Sequence, residues 1–157
     1  MHVGGYIYRF VSEVKNTMKN IRLSGHGAYR TEYHVVWITK YRRTFLDSRA
    51  GQYLAEFMPE VVEDIPGCEI VQCNIQPDHV HMALIIPPKY AVSDVIGQVK
   101  SKTSGELRRR FKSVREAYFG RKSIWSPGFF VRTVGVGEEE IRKYIRQQGG
   151  DEDDMMK

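Results

Sequence analysis

The pattern of apolar and polar residues predicts secondary structure along most of the chain from residue 29 onward. Residues 29–39 are rich in β-branched and aromatic side chains, which is typical of a strand. A helix is expected next, because Asp47 or Ser48 can cap a segment that carries an apolar stripe toward Asp64. A Pro-Gly pair at positions 66–67 ends that helix.

The rest of the chain predicts three further strands and two further helices. The strands Cys68–Ile75 and His79–Ile86 are separated by a short turn, so they are expected to form an antiparallel hairpin. A helix is predicted over Val92–Phe111 and a strand over Gly128–Val134. The acidic residues at 138–140 favour the start of a last helix, which fades near Gly149.

The order of these elements is strand, helix, strand, strand, helix, strand and helix. This order is typical of a ferredoxin-like α+β sandwich, an antiparallel sheet with helices on one face, here with an added C-terminal helix. Residues 1–28 have weak periodicity and are interpreted as an N-terminal extension, with a helix near Val11–Ile21. Residues 29–149 are interpreted as a single domain, and residues 150–157 as a short, disordered acidic tail.

Composition excludes several classes of protein. The length of 157 residues fits one domain and is too short for a TIM barrel, which needs about 250 residues. No segment approaches the ~18 apolar residues of a membrane span, and the N-terminus lacks the pattern of a secretory signal. Cys68 and Cys73 have the spacing of neither a zinc site nor a disulfide framework. We therefore expect a cytoplasmic protein with reduced cysteines and no membrane partner.

Positive charge is concentrated in two segments. The formal net charge is +5, and the segment from Gly97 to Lys122 contains nine Lys and Arg residues against two Glu residues. A second cluster, Lys40, Arg42 and Arg43, follows an aromatic-rich strand. Positive charge beside aromatic side chains favours a nucleic-acid partner, and a solvated helix face is the alternative.

His79 and His81 are candidate metal ligands, because they stand two residues apart on a predicted strand. Side chains on a strand alternate between faces, so both imidazoles point to one face, about 7 Å apart, while Val80 and Met82 point into the core. Two imidazoles so placed can bind one cation, and two unrelated surface histidines are the alternative. A histidine-triad hydrolase is excluded, because Ala83 stands where a third histidine is needed. A further ligand must come from elsewhere in the chain.

The last predicted helix offers such a ligand. Tyr144 and Gln148 are four residues apart and therefore lie on one helical face. A glutamine amide oxygen is a hard ligand, so together with two imidazoles it suits Mg²⁺ or Mn²⁺ better than a closed zinc site. Tyr144 is then a candidate nucleophile, and an ordinary tyrosine packed by its ring is the alternative.

Four blocks of sequence together resemble the single-tyrosine HUH transposases, the IS200-like family of small bacterial and archaeal insertion sequences. The blocks are Tyr33–Trp37 leading into Lys40–Arg43, Gln76–His81, Trp125–Val131 and Tyr144–Gln148. They span roughly three quarters of the chain. The sequence departs from the family pattern in its longer N-terminus and its acidic tail, and neither departure touches the four blocks.

The resemblance implies a metal-dependent DNA transposase that cleaves and rejoins single-stranded DNA at hairpin-flanked element ends. In this mechanism, Tyr144 attacks a phosphodiester and forms a 5′-phosphotyrosine link to the DNA. His79, His81 and Gln148 would hold the divalent ion, Mg²⁺ or Mn²⁺, at the scissile phosphate.

The resemblance also implies partners. Proteins of this family are similar in forming homodimers in which the tyrosine helix of one subunit completes the metal site of the other, and residues 135–137 are the expected hinge. The residues expected to contact DNA phosphates are Lys40, Arg42, Arg43, Lys100, Lys102 and Arg109. Trp125, Phe129 and Phe130 are candidates for stacking on bases, although core packing is expected for at least two of them.

Two alternatives stay open at this point. One is a domesticated relative that processes dispersed palindromic repeats as a monomer, and the mass of the particle in solution would separate it from a dimeric transposase. The other is a non-catalytic single-strand nucleic-acid-binding module with the same fold. That module explains the charge and the aromatic residues but leaves the spacing of Tyr144 and Gln148 to chance.

Overall fold

The computed structural model describes residues 6–8, 22–24, 27–29 and 31–135. The strands are β1 (Tyr6–Tyr8), β2 (Arg22–Ser24), β3 (Gly27–Tyr29), β4 (Glu32–Ile38), β5 (Glu69–Gln76), β6 (His79–Ile85) and β7 (Phe130–Thr133). The α-helices in these residues are α1 (Arg49–Glu63), α2 (Val92–Arg110) and α3 (Lys112–Ala117). Short 3₁₀ turns cover Lys40–Arg42 and Phe45–Asp47.

The main sheet has the strand order β1-β5-β6-β4-β7, and all neighbouring strands are antiparallel. The chain runs β4-α1-β5-β6-α2-α3-β7 through this sheet, which is the ferredoxin-like arrangement with β1 added at one edge. The predicted α+β fold class is therefore confirmed. The predicted C-terminal helix with Tyr144 and Gln148, and the acidic tail, lie outside the described residues.

The two long helices form where the sequence predicts them. Ser48 caps α1, since its Oγ accepts a hydrogen bond from the backbone N–H of Ala50 at 3.3 Å. After α1 the chain turns through Gly67, whose φ of +86° lies in the left-handed region that glycine adopts easily. Helix α2 ends at Arg110, one residue before the predicted end.

Alternation along β4 and the first half of β6 separates a face of the sheet that the helices cover from an open one, although Ala83 and Ile85 at the far end of the open face are also buried. The residues that point toward α1 and α2 are at most 1% exposed; they are Val35, Trp37, Val80, Met82 and Leu84. The intervening positions include His34, His79 and His81, which are only partly buried. The helices thus cover one face of the sheet, and the histidines lie on the other.

Helix α3 was not predicted, because the sequence pattern predicts no regular element between Phe111 and Gly128. Its one buried side chain is Val114, so the segment has no apolar period that a sequence pattern could detect. An ion pair between Lys112 and Glu116, 3.6 Å apart, spans one turn of it.

The N-terminal segment contributes a strand that the sequence did not predict. Strand β1 pairs with β5 and places Tyr6 opposite Ile75, while β2 and β3 form a separate hairpin. The strand predicted from Tyr29 begins only at Glu32, because residues 27–29 pair with β2 instead. The helix expected near Val11–Ile21 lies outside the described residues.

Both cysteines are buried and unbonded, as the sequence predicts. Burial raises the pKa of the Cys68 thiol to about 11 and that of Cys73 to about 12. They act as small apolar side chains rather than as reactive thiols. In residues 31–135 no helix is long and apolar enough to cross a membrane.

Candidate metal centre on the open face of the sheet

Three histidines lie close together on the open face. His79 and His81 project from β6, and the ring of His34 on the neighbouring strand β4 meets that of His81 edge to face, with centroids 5.4 Å apart. On the other side of β6, Asn74 lies opposite His81 and Gln76 opposite His79. The structure therefore confirms that His79 and His81 share a face. Their neighbours on that face are side chains that carry further nitrogen and oxygen atoms.

His79 is tied to a carboxylate at the start of its strand. Its Nδ1 lies 2.8 Å from Oδ1 of Asp78. The other oxygen, Oδ2, accepts hydrogen bonds from Nε and Nη2 of Arg42, at 3.2 and 3.1 Å. The hydrogen bond from His79 lowers the pKa of the Asp78 carboxyl, and the guanidinium of Arg42 lowers it further. Asp78 is thus an anion held between two donors.

The surroundings of His81 favour its neutral form. Burial lowers its pKa below the usual range, and electrostatic interactions with His34, His79 and Arg132 lower it further. Arg132, on β7, approaches His34 with its Nη2 3.5 Å from Nδ1. Neutral imidazole is the form that ligates metals, so the surroundings of His81 favour its role as a ligand at neutral pH.

The turn that precedes His79 is held by hydrogen bonds from two other parts of the chain. Thr39 is fully buried, and its backbone N–H donates to the carbonyl of Asp78 at 2.9 Å. The N–H of Leu46 donates to the carbonyl of Pro77 at 3.1 Å, so the turn before His79 is fixed from two sides. Because these hydrogen bonds hold the backbone at Pro77 and Asp78, they help to keep the imidazole of His79 in one orientation.

The turn that carries Arg42 has an unusual backbone. Tyr41 and Arg42 have φ angles of 62° and 51°, in the left-handed region that residues other than glycine seldom occupy. Such a conformation costs about 1–3 kcal/mol per residue and persists only where neighbours enforce it. Here the hydroxyl of Tyr118 donates to the carbonyl of Lys40 at 2.9 Å, and the guanidinium of Arg43 lies 5.2 Å from the Tyr118 ring.

The donor set fits a divalent cation but is incomplete within the described residues. These residues contain no cluster of three His, Cys, Asp or Glu side chains that could hold a metal ion. They do provide two imidazoles on one face, one of them kept neutral, which suits Mg²⁺ or Mn²⁺ if oxygen ligands complete the site. Tyr144 and Gln148, the predicted nucleophile and third ligand, lie outside the described residues, so their placement stays a prediction.

The six predicted DNA-contacting residues belong to two parts of the chain, the turn after β4 and helix α2. Lys40, Arg42 and Arg43 lie in or directly after that turn, and Arg42 contacts Asp78 beside His79. On α2, Lys102 forms an ion pair with Asp64 at 3.7 Å, and Arg109 pairs with Glu106 at 2.7 Å. Their contacts to DNA stay predictions.

Lys100 has a structural role that the sequence did not predict. Its ammonium donates to the carbonyls of Ser126 and Gly128, at 2.8 and 2.7 Å. Burial lowers its pKa, as expected for a cation drawn out of water. This lysine therefore fastens the turn that leads into β7 to helix α2.

Two of the three candidate stacking residues belong to the core, as predicted. Trp125 is 1% exposed and meets the ring of Trp37 edge to face, and Phe129 packs against the buried cluster. Phe130 is 66% exposed on β7. It is the one member of this group free to meet a base.

Sequence reasoning missed Asp78, His34 and Arg132. Two of these residues could have been found from the sequence. Asp78 directly precedes His79, and His34 alternates with the apolar residues of β4, which predicts that it lies on the open face. Arg132 could not, because its place beside His34 follows from the pairing of β7 with β4, almost 100 residues apart.

Comparisons with known proteins agree on one family. Residues 27–148 match the sequence profile of the family described as "Transposase IS200 like". The chain is 32% identical over 123 residues to the transposase for insertion sequence element IS200 of Salmonella typhimurium, covering 78% of this chain and 80% of that one. It is 28% identical to the ISDra2 transposase TnpA of Deinococcus radiodurans, covering 79% of this chain and 89% of that protein. A crystal structure of a Deinococcus radiodurans protein assigned as a transposase superposes with a TM-score of 0.63 at 26% identity, covering 81% and 98% of the two chains.

Proposed function

This chain belongs to the IS200-like transposase family, and on that premise we propose that it cleaves and rejoins single-stranded DNA through a tyrosine-linked intermediate. The observation that carries this proposal is the pair His79 and His81 on the open face, where burial favours the neutral form of His81. Further support is that Tyr144 and Gln148 follow β7 in the sequence, and that only β4 separates β7 from β6 in the sheet.

We propose that His79, His81 and Gln148 hold the divalent ion, Mg²⁺ or Mn²⁺. When bound, such an ion would offset the negative charge that grows on the oxygens of the scissile phosphate. The protein itself would orient the side chains that hold the ion. Asp78 and the fixed turn before β6 hold the imidazole of His79, while Asn74 and Gln76 line the same face with amide groups.

The nucleophile in this proposal is the Tyr144 oxygen. It attacks the phosphorus, the bond from phosphorus to the 3′ oxygen breaks, and that oxygen takes a proton and leaves as a 3′-OH. The 5′ phosphate remains on the tyrosine. A tyrosine with a reference pKa near 10 is only about one-thousandth ionised at pH 7, so the phenol must lose its proton as it attacks. Another 3′-OH reverses the step and frees Tyr144 without ATP, because the phosphotyrosine bond conserves the energy.

We propose that the DNA substrate is a hairpin with single-stranded flanks at the end of a mobile element. Arg42 and Arg43 are exposed cations in or directly after the turn that follows β4, and Arg42 contacts Asp78 beside His79, so this turn can contact phosphates near the histidines. Phe130, exposed on β7 at the open face beside β4, can stack on an unpaired base.

We propose a homodimer whose active sites are completed in trans. Support comes from β7, which is the edge strand of the sheet as described and carries the exposed side chain of Val131. An exposed apolar edge of this kind is suited to pairing with a second chain.

End-labelled DNA tests the reaction. Purified protein with Mg²⁺ is mixed with a pool of single-stranded hairpins that have random flanks and carry a label at either the 5′ or the 3′ end. The proposal predicts that the 3′-labelled fragment becomes attached to protein, while the 5′-labelled fragment is released with a free 3′-OH.

Matched tyrosine variants identify the nucleophile. Tyr144→Phe should abolish attachment while hairpins are still retained on a native gel. Tyr41→Phe is the control, because Tyr41 is 59% exposed near the histidines and phenylalanine keeps its ring. Attachment that survives Tyr144→Phe, or covalent attachment of the 5′-labelled fragment to the protein on a denaturing gel, contradicts the proposed chemistry.

A further inference from the structure

We propose that Asp78 is a positioning residue that fixes the ring tautomer of His79 and that Arg42 fixes Asp78 in turn. Of the two ring nitrogens, Nδ1 carries the hydrogen and donates it to Asp78, which leaves the lone pair of Nε2 directed at the ligand position. The inference rests on the metal-binding role proposed for His79, and it adds a function for two residues outside the ligand set.

The contact geometry gives each oxygen of Asp78 a separate partner. Oδ1 lies 2.8 Å from Nδ1 of His79, and Oδ2 accepts both Nε and Nη2 of Arg42. A carboxylate can only accept hydrogen bonds, so the nitrogen that faces it must be the donor. The hydrogen bond made by one ring nitrogen decides which nitrogen remains free for a metal.

The backbone is arranged to present this pair. The carbonyl of Asp78 accepts a hydrogen bond from the N–H of Thr39 at 2.9 Å, which ties the backbone of Asp78 to the end of β4. The hydroxyl of Thr39 lies 3.2 Å from the same carbonyl and 2.8 Å from that of Arg43, so it links the two turns. The left-handed turn at Tyr41 and Arg42 directs the Arg42 guanidinium to Oδ2. Strained backbone beside a site is characteristic of a conformation maintained for function.

Because Arg42 occupies one oxygen of Asp78, only a carboxylate at position 78 can also accept a hydrogen bond from Nδ1 of His79. In Asp78→Asn, the amide oxygen must face Arg42, because a guanidinium has only donors. The amide NH₂ then faces His79 and requires Nδ1 to accept. The hydrogen moves to Nε2, and the nitrogen that should bind metal is blocked. Removing Arg42 as well frees the amide to rotate, so in Arg42→Ala combined with Asp78→Asn the Nε2–H form is no longer required.

The tautomer can be measured on the full chain without metal. Protein with ¹⁵N-labelled histidine is studied at pH 8 by long-range proton–nitrogen correlation NMR, and His79→Gln identifies the signals of His79. We expect the Nδ1–H form in the wild type, the Nε2–H form in Asp78→Asn, and signals of both forms in the double variant. An Nε2–H form in the wild type, or an unchanged form in Asp78→Asn, overturns the proposal.

Metal affinity provides the second readout, with Mn²⁺ as the probe in calorimetry. Loss of a residue that orients a metal-binding histidine typically weakens affinity by about 10–100-fold. We expect a loss of that size in Asp78→Asn and none in Asp94→Asn, a matched change at an exposed aspartate in the first turn of α2. Equal Mn²⁺ affinity in wild type and Asp78→Asn contradicts the proposal, as does a wild type that binds no Mn²⁺. If tautomer and affinity respond as stated but Tyr144-dependent cleavage is absent, the proposed function fails and this inference stands.

Discussion

Replacing Lys100 with methionine separates a structural role for this residue from a role in DNA binding. The ammonium of Lys100 donates to the carbonyls of Ser126 and Gly128, and these two contacts join α2 to the segment that leads into β7. Methionine has a similar length and keeps the apolar part of the side chain, so the substitution removes mainly the charge and its hydrogen bonds.

The size of the effect follows from the exposure of the two contacts. A hydrogen bond that involves a charged group contributes about 1.5–3 kcal/mol, and the partly buried contact to Ser126 belongs in that range. The contact to Gly128 is exposed, so water replaces it and it adds little. Burial of the ammonium opposes both contacts, as the lowered pKa of Lys100 indicates. We expect a net loss of about 2 kcal/mol in the free energy of unfolding, a decrease in Tm of about 4–8 °C.

Urea unfolding monitored by the fluorescence of the two buried tryptophans measures this loss. Lys102→Met is the control, because its ion pair with Asp64 spans 3.7 Å between side chains that are 45% and 71% exposed. An exposed pair of this kind contributes about 0–1 kcal/mol. We therefore expect Lys100→Met to be clearly less stable than Lys102→Met.

A role of Lys100 in DNA binding would give a different pair of results. If Lys100 instead contacts a DNA phosphate, Lys100→Met will be as stable as Lys102→Met. It will also lower the slope of log affinity against log salt concentration by about 0.7 for single-stranded DNA. That combination would refute the structural role assigned to this lysine.

Three further predictions concern the active site and the core. If active sites are completed in trans, a mixture of His81→Ala and Tyr144→Phe should regain cleavage that neither variant has alone; a mixture that stays inactive favours a site built within one chain. Burial raises the pKa of the Cys73 thiol to about 12, so the native protein should leave it unmodified by a thiol reagent at pH 8, whereas labelling detected by peptide mass spectrometry before unfolding contradicts the burial. Gly51→Ala should destabilise the fold by more than about 2 kcal/mol, because its Cβ would lie 1.8 Å from the carbonyl oxygen of Leu46; an unchanged urea midpoint would show that α1 can shift at no cost.

The sequence predicted those parts of the fold that depend on local patterns. Alternation along β6 placed His79 and His81 on the face opposite Val80, and Ser48 marked the start of α1, because strand period and helix cap are both properties of neighbouring residues. The pairing of Tyr6 with Ile75 was not predictable in this way, since nothing near either residue records its distant partner.

The same distinction holds for the candidate site. The identity of the two histidines follows from their spacing, but spacing does not indicate that the adjacent Asp78 is the partner of His79. The assignment of Arg42 to DNA contacts follows from its charge alone. Its contact with Asp78 depends on a left-handed turn, and a segment without glycine does not predict such a turn. Lys100 is a similar case, because its acceptors lie 26 and 28 residues further along the chain.

The most direct test of the account is to identify the amino acid that becomes linked to DNA. The wild-type protein is incubated with Mg²⁺ and the hairpin pool, digested with protease and nuclease, and analysed by mass spectrometry for peptides that carry a nucleotide. We expect a peptide that carries a 5′-phosphonucleotide on Tyr144. This peptide should be absent in His81→Ala and when Mg²⁺ is removed by a chelator. A nucleotide on any other residue, or hairpins that bind the protein without forming a linked peptide, would contradict the account.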